Sequence, residues 1–105
     1  MKRKETDIQR DICEYLQIKG YFFTRMNNTP TFDPKRGCYR AMPKYTMSGF
    51  PDILILKDGN VIGCEVKTSI GKQSPTQKEF QRLWESAGGA YIVARSVQDV
   101  IDWGL

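Results

Sequence analysis

The sequence predicts an α/β fold in which a mixed central sheet is flanked by helices. Three observations predict it. Residues 5–19 carry apolar side chains at helical spacing, Ile53 to Thr68 reads as two apolar strands around a tight turn, and Ser74-Pro75-Thr76-Gln77 opens a helix that runs into another apolar strand. A chain of 105 residues has the length of one domain, spanning 1–105.

Each element has its own local reason. Ile8, Ile12, Tyr15 and Leu16 recur at i, i+4, i+7 and i+8, one buried helical face, and Gly20 ends that helix. Residues 21–26, from Tyr21 to Met26, are rich in strand formers. Residues 27–50 form a stretch longer than ordinary connections, with a function of its own, no order, or a short hairpin hidden inside it. Ile53 to Lys57 and Val61 to Thr68 are predicted strands joined by Asp58-Gly59-Asn60. Ser74 is an N-cap, Pro75 takes the first helical position and Gln77 completes a capping box. Phe80, Leu83, Trp84 and Ala87 form the predicted buried stripe of that helix, which Gly88-Gly89 stops. Ala90 to Arg95 is a further strand, and Ser96 caps a last short helix carrying Val97, Val100 and Ile101.

Composition narrows the chemistry. Histidine is absent, which excludes Ser-His-Asp and Cys-His catalysis and any His-containing zinc site. Acid-base and metal chemistry must therefore come from Asp, Glu, Lys or Tyr. A net charge of +4 and a pI near 9.1 favour polyanionic partners, though mildly. Cys13, Cys38 and Cys64 contain no C-x-x-C pair and are expected to be reduced, small apolar core residues. The opening Met-Lys-Arg-Lys-Glu leads into an amphipathic pattern without a signal-peptide apolar region, and no apolar run nears the roughly 20 residues that span a bilayer. A soluble, cytoplasmic protein without membrane partners is expected.

Four charged residues lie in segments built for burial. Along the predicted strand 61–68, Ile62, Cys64 and Val66 point one way and Gly63, Glu65 and Lys67 the other. Asp52 begins the neighbouring antiparallel strand, so the hairpin brings Asp52, Glu65 and Lys67 to one end of the sheet. At about 100° per residue, Glu5 falls within roughly 20° of Ile12 and Leu16, in the middle of the apolar face of its helix. Carboxylates converging beside a lysine suit a hard divalent cation such as Mg²⁺, with open positions for water and a phosphate oxygen. Lysine can orient a nucleophile or offset charge developing in the transition state. That chemistry is phosphodiester hydrolysis. Taken singly, an E-x-K triplet is usually a solvated ion pair, Asp52 can simply begin a strand, and Gln77 is explained by capping.

Gly49-Phe50-Pro51-Asp52, twelve further residues, and then Glu65-Val66-Lys67 resemble the P-D…(D/E)-x-K signature of the restriction-endonuclease-like superfamily. Glu5-Thr6-Asp7-Ile8-Gln9, Ser74-Pro75-Thr76-Gln77 and the run from Gly88-Gly89 to Ser96 narrow the resemblance to the virus-type replication-repair nuclease (VRR-NUC) family, over residues 5 to about 101. It looks like a stand-alone, phage-type member, which places the protein in a bacterial host cytoplasm. The resemblance implies a restriction-endonuclease-like αβββαβ core and a Mg²⁺- or Mn²⁺-dependent endodeoxyribonuclease. It makes Asp52, Glu65 and the main-chain carbonyl of Val66 metal ligands, Lys67 the catalytic lysine and Glu5 an additional metal-site carboxylate. Gln77 matches a glutamine near the family's site. Branched replication or repair intermediates, four-way (Holliday) junctions foremost, are the implied substrates. The rivals are a flap or single-strand nuclease, and a non-catalytic nucleic-acid-binding module.

Residues 27–50 match the family only loosely. There Lys35, Arg36, Arg40 and Lys44 alternate with Phe32, Tyr39 and Tyr45. Basic groups pair phosphates and aromatics stack on unpaired bases, so this long loop is read either as a DNA-binding element or as a polar flap. Nicking two strands of a junction calls for two sites at a fixed separation, and a homodimer is expected.

Overall fold

The computed structural model describes residues 3–26, 32–39 and 44–105. In chain order the elements are α1 (Glu5–Lys19), β1 (Phe22–Arg25), β2 (Phe32–Asp33), β3 (Cys38–Tyr39), β4 (Ile53–Lys57), β5 (Asn60–Val66), α2 (Pro75–Ser86), β6 (Ala90–Ala94) and α3 (Val97–Trp103). The main sheet has the order β1-β4-β5-β6. Its first three strands are antiparallel, and β6 joins β5 in parallel after the α2 crossover, as parallel pairing requires. β2 and β3 form a separate two-stranded hairpin within 27–50, pairing Phe32 with Tyr39 and Asp33 with Cys38.

Alternation along the strands divides the protein into two layers around the sheet. Ile53, Ile55, Ile62, Cys64 and Val66 face α1 and α3 and are fully buried with Ile12, Leu16 and Val100. Each Ile or Leu buried this way stabilises the fold by roughly 1.5–3 kcal/mol, so this face holds most of the apolar core. The other face meets α2, which lies over β6 and packs Phe80 and Trp84 with their rings 5.4 Å apart. The Trp84 indole N–H donates to the Ala90 carbonyl at 2.7 Å and fixes the end of α2 against the start of β6.

Several boundaries and burials differ from the sequence reading. The strand expected at 21–26 is β1, Phe22–Arg25, and the one expected at 61–68 is β5, Asn60–Val66, because the two-residue turn Asp58-Gly59 leaves Asn60 paired with Lys57. Leu83 and Ala87 are exposed rather than buried. α2 leans over β6, turning Phe80, Gln81 and Trp84 inward and the Leu83 edge outward. Ile101 is likewise exposed, while Val97 and Val100 face the core. Of the three free thiols, Cys64 is buried and Cys13 half-buried, but Cys38 is exposed in its short hairpin. Burial, helped by the nearby Asp52 carboxylate, pushes the Cys64 thiol up to about 12, so it stays a neutral core group. Among the described residues no helix is long and apolar enough to cross a membrane.

Candidate active site

The corner Gly49-Phe50-Pro51-Asp52 is built by packing at each of its four positions. Gly49 has φ +80°, and a Cβ there would stand 2.8 Å from the Thr76 carbonyl oxygen in the first turn of α2. Only glycine allows both the backbone conformation and the approach. Phe50 then enters the aromatic layer, its ring 5.0 Å from Phe80 and 5.9 Å from Trp84, edge-on to both. Pro51 is fully buried over Gly63, where a Cβ would lie 2.8 Å from the proline Cγ. These contacts deliver Asp52 to the mouth of the sheet. Its carbonyl accepts from the Met26 N–H, and its Oδ2 accepts from the Val66 N–H, both at 2.8 Å.

Ile53 pairs with Cys64, so one step outward Asp52 comes beside Glu65 and Val66. Glu65 is 1% exposed, an unusual place for a carboxylate. Its Oε2 accepts from the Gln73 amide at 3.0 Å, and that same amide nitrogen donates to Gln81 Oε1 at 2.9 Å. Its Oε1 is buried and, among the described residues, has no partner of good hydrogen-bond geometry. The Tyr91 hydroxyl is in the same condition, and it lies close enough to Glu65 for the phenol to donate weakly toward the carboxylate. Burial pushes the Glu65 carboxyl above its ordinary value, the Gln73 amide and the Lys67 ammonium pull it back, Asp52 pushes it up again and the Tyr91 hydroxyl lowers it a little. Burial, and after it the Glu65 charge, raises the Tyr91 phenol as well. Lys67 follows β5, its N–H donating to the Ala94 carbonyl at 2.9 Å. Among the described residues its ammonium forms no ion pair within 4 Å.

No family profile and no curated protein matches the chain. Solved structures do. One, described as "VRR_NUC domain", aligns with a TM-score of 0.66 at 21% identity, over 93% of this chain and 90% of the other. A second, "VRR_NUC domain protein", gives 0.71 at 17% identity, over 98% of this chain and 86% of its own. The chain has the VRR_NUC fold. At these identities the likeness is one of backbone architecture, and it extends over both layers and the four-stranded mixed sheet.

Within this VRR_NUC fold the expected residues fall into three groups. Asp52, Glu65, Val66 and Lys67 come together at one end of the sheet, as alternation along the hairpin requires. Glu5 lies on the helical line of Ile8, Ile12 and Leu16 but in the first turn of α1, where it is exposed; the expectation that its carboxylate is covered is corrected. Apolar periodicity gives a direction around the helix but not whether a neighbour covers its first turn, and Glu5 is left exposed there. Gln77 closes the first turn of α2, its Oε1 accepting from the Ser74 N–H at 2.8 Å while the Ser74 hydroxyl accepts from the Gln77 N–H at 3.1 Å. Lys35, Arg36, Lys44 and Tyr45 are exposed, with Lys44 Nζ 5.1 Å from the centre of the Tyr45 ring. Tyr39 lies on β3, and Arg40 falls outside the described residues.

Two members of the site escape a reading by motif. For Tyr91, alternation along 90–94 is the signal that could have found it, and the parallel register sets it on the Glu65 face, opposite Gly63. Gln73 has no such signal, because it belongs to the connection between β5 and α2, where no periodicity indicates direction.

The donor set fits a divalent cation of the hard, oxygen-preferring kind. Glu65 Oε1 is a buried acceptor without a well-placed donor among the described residues, and a nearby positive charge would offset the cost of keeping that carboxyl ionised. Among the described residues no three of His, Cys, Asp and Glu gather closely enough to encage an ion. Asp52 and Glu65 supply the two carboxylates from which Mg²⁺ is commonly held, its other positions being filled by water and substrate oxygens.

Proposed function

We propose that this protein is a Mg²⁺- or Mn²⁺-dependent endodeoxyribonuclease that hydrolyses phosphodiester bonds in four-way (Holliday) junctions. The observation that carries the proposal is Glu65, a buried carboxylate fixed at one oxygen by Gln73 and, among the described residues, approached at the other only by the Tyr91 hydroxyl without good hydrogen-bond geometry, beside Asp52 and Lys67. A structural residue would have both oxygens satisfied or would be replaced by an apolar one.

Asp52, Glu65 and the Val66 carbonyl would hold the ion, with Glu5 as a further carboxylate. When bound, the ion lowers the pKa of a coordinated water and offsets charge on the phosphoryl oxygens. The chain's own groups supply orientation. The Val66 N–H sets the rotamer of Asp52, and Gln73, braced on Gln81, sets that of Glu65. The Lys67 ammonium, unpaired among the described residues, orients the attacking water or faces the charge that develops on phosphorus oxygens. Gln77 contributes by shaping the first turn of α2, against which Gly49 packs. Lys35, Arg36, Arg40 and Lys44 would contact phosphates, and Tyr39 and Tyr45 would stack on bases.

Junction resolution needs two nicks, and a homodimer supplies two sites. A band of apolar side chains on the α2 face supports it: Phe22, Leu56 and Val61 oppose one another across β1, β4 and β5 and are 71%, 41% and 36% exposed. Cleavage of linear, flap, fork and four-way DNAs, each with and without Mg²⁺, tests the reading. Paired Mg²⁺-dependent nicks in the four-way substrate are expected. Preferred cutting of the flap would replace the junction, and DNA binding without Mg²⁺-dependent cleavage of any substrate would overturn the enzyme.

A further inference from the structure

A second feature opens beside the proposed catalytic end, one residue beyond Lys67. The N-terminus of α1, the loop 68–71 and the start of α3 enclose a cleft of about 910 Å³. Ile8, Ile70 and Val97 give it apolar lining, while Arg3, Asp11 and Gln98 bring charged and amide groups to the same space. One wall is rigidly set. Arg95 Nη1 donates to the carbonyls of Thr68 at 2.5 Å and Gly71 at 2.7 Å. The Gly71 N–H turns back onto Thr68 Oγ1 at 3.1 Å and its carbonyl at 3.2 Å. On the α1 side Arg3 pairs with Asp11 at 2.6 Å. Within this tied loop Ile70 is 66% exposed, an apolar side chain that the core does not use.

We propose that the cleft binds one unpaired nucleotide of a DNA strand, base inward, next to the phosphate handled by Asp52, Glu65 and Lys67. The proposal rests on the nuclease reading of that site and deepens it. Size is the first argument, because small-molecule sites span about 300–1,000 Å³ and this cleft falls within that range. Chemistry is the second. A bare anion would meet the Asp11 carboxylate, which already pairs with Arg3, while Arg95 Nη1 is tied to two carbonyls. A nucleobase has planar apolar faces for Ile8, Ile70 and Val97. Its amino edge can donate to Asp11, as carboxylates accept from the amino group of cytosine, and the Gln98 amide can pair a ring nitrogen or carbonyl. The attached phosphate stays at the mouth, where Lys4 is exposed. Position is the third argument: Thr68 lines the cleft and follows Lys67 directly, so the opening lies at the end of β5 where Asp52, Glu65 and Lys67 gather. A paired base cannot enter without unstacking, whereas a branch or unpaired segment presents one at little cost.

The test uses the ¹⁵N-labelled protein in EDTA, titrated with deoxycytidine 5′-monophosphate and separately with sodium phosphate. Saturable shifts at the amides of residues 68–71 and 96–98 are expected with the nucleotide and not with phosphate. Ile70→Asp alters an exposed position, and it should weaken nucleotide binding about tenfold while leaving the rest of the spectrum in place. In cleavage, an abasic position next to the cut should slow the wild-type protein about tenfold and slow Ile70→Asp no further. Equal shifts with phosphate, or none with the nucleotide, would overturn the proposal. Nucleotide shifts without any abasic effect would also overturn it, leaving a site for free nucleotides instead of a strand. Wild-type cleavage of an unmodified junction in Mg²⁺ is read independently, so the nuclease reading can survive the loss of the cleft.

Discussion

Against α1 and α3 the sheet presents Ile53, Ile55, Ile62, Cys64 and Val66, all fully buried; against α2 the same strands present Asp52, Gly63 and Glu65 and leave Phe22, Leu56 and Val61 open to solvent. The first face is satisfied in every contact the fold can give it. The second contains a carboxylate oxygen and a phenol that act on each other but, among the described residues, have no hydrogen bond of good geometry. Because side chains alternate, one strand serves both purposes, and Cys64 and Glu65 are neighbours with opposite roles. Stability is concentrated on one side of β5 and unmet chemical demand on the other. Unmet demand in a folded protein is a reason to look for a ligand.

Substitutions on the two faces should therefore separate activity from stability. The largest effect is expected from Lys67→Ala, Asp52→Asn and Glu65→Gln, each lowering Mg²⁺-dependent cleavage about a thousandfold, as loss of a charge-stabilising group in a site does. Circular dichroism melts should stay at or above the wild-type value. Ile12→Ala is the converse on the α1 face: urea denaturation should show a loss of about 2–5 kcal/mol, with the rate per folded molecule unchanged. Gly49→Ala should move both quantities. The positive φ and the close Thr76 carbonyl cost about 1–3 kcal/mol, and displacement of the corner carries Asp52 off the Val66 N–H. Ser74→Ala removes the α2 cap alone, and a chemical melt should register about 1 kcal/mol with cleavage nearly intact.

The sheet, the two main helices and the meeting of Asp52, Glu65 and Lys67 were legible because each follows from local rules. Helical spacing marked α1, the Ser74–Gln77 box marked the start of α2, and period-two alternation assigned Glu65 to the face opposite Cys64. What failed depends on how far a neighbour reaches. Leu83 and Ala87 fit a helical stripe, yet α2 leans over β6 and leaves them outside; Glu5 fits the α1 stripe, yet it is exposed in the first turn. Gln73 could not be foreseen, since its amide reaches Glu65 through the path of a loop.

Titration should expose the same asymmetry in a smaller effect. Burial raises the Glu65 carboxyl in the folded chain above its unfolded value, so the folded chain binds that proton more tightly. The stability this group contributes is complete below the unfolded value and is lost as pH rises through the folded one. Metal-free protein should therefore lose stability on going from the carboxylate range to neutral pH. Glu65→Gln should flatten that portion of the pH profile in thermal melts.

The claim that Glu65 is held in place for a cation is tested most directly by thermal melting at pH 7, in EDTA and across a Mg²⁺ series, for wild type and Glu65→Gln. In EDTA the variant should melt higher, because a neutral amide removes a buried charge, keeps an acceptor for Gln73 and offers the Tyr91 oxygen a donor. Mg²⁺ should raise the wild-type midpoint, since a ligand that binds only the folded chain stabilises it, and should leave the variant unmoved. A variant that melts lower than wild type in EDTA and responds to Mg²⁺ as wild type does would contradict the account, and would make Glu65 a structural carboxylate.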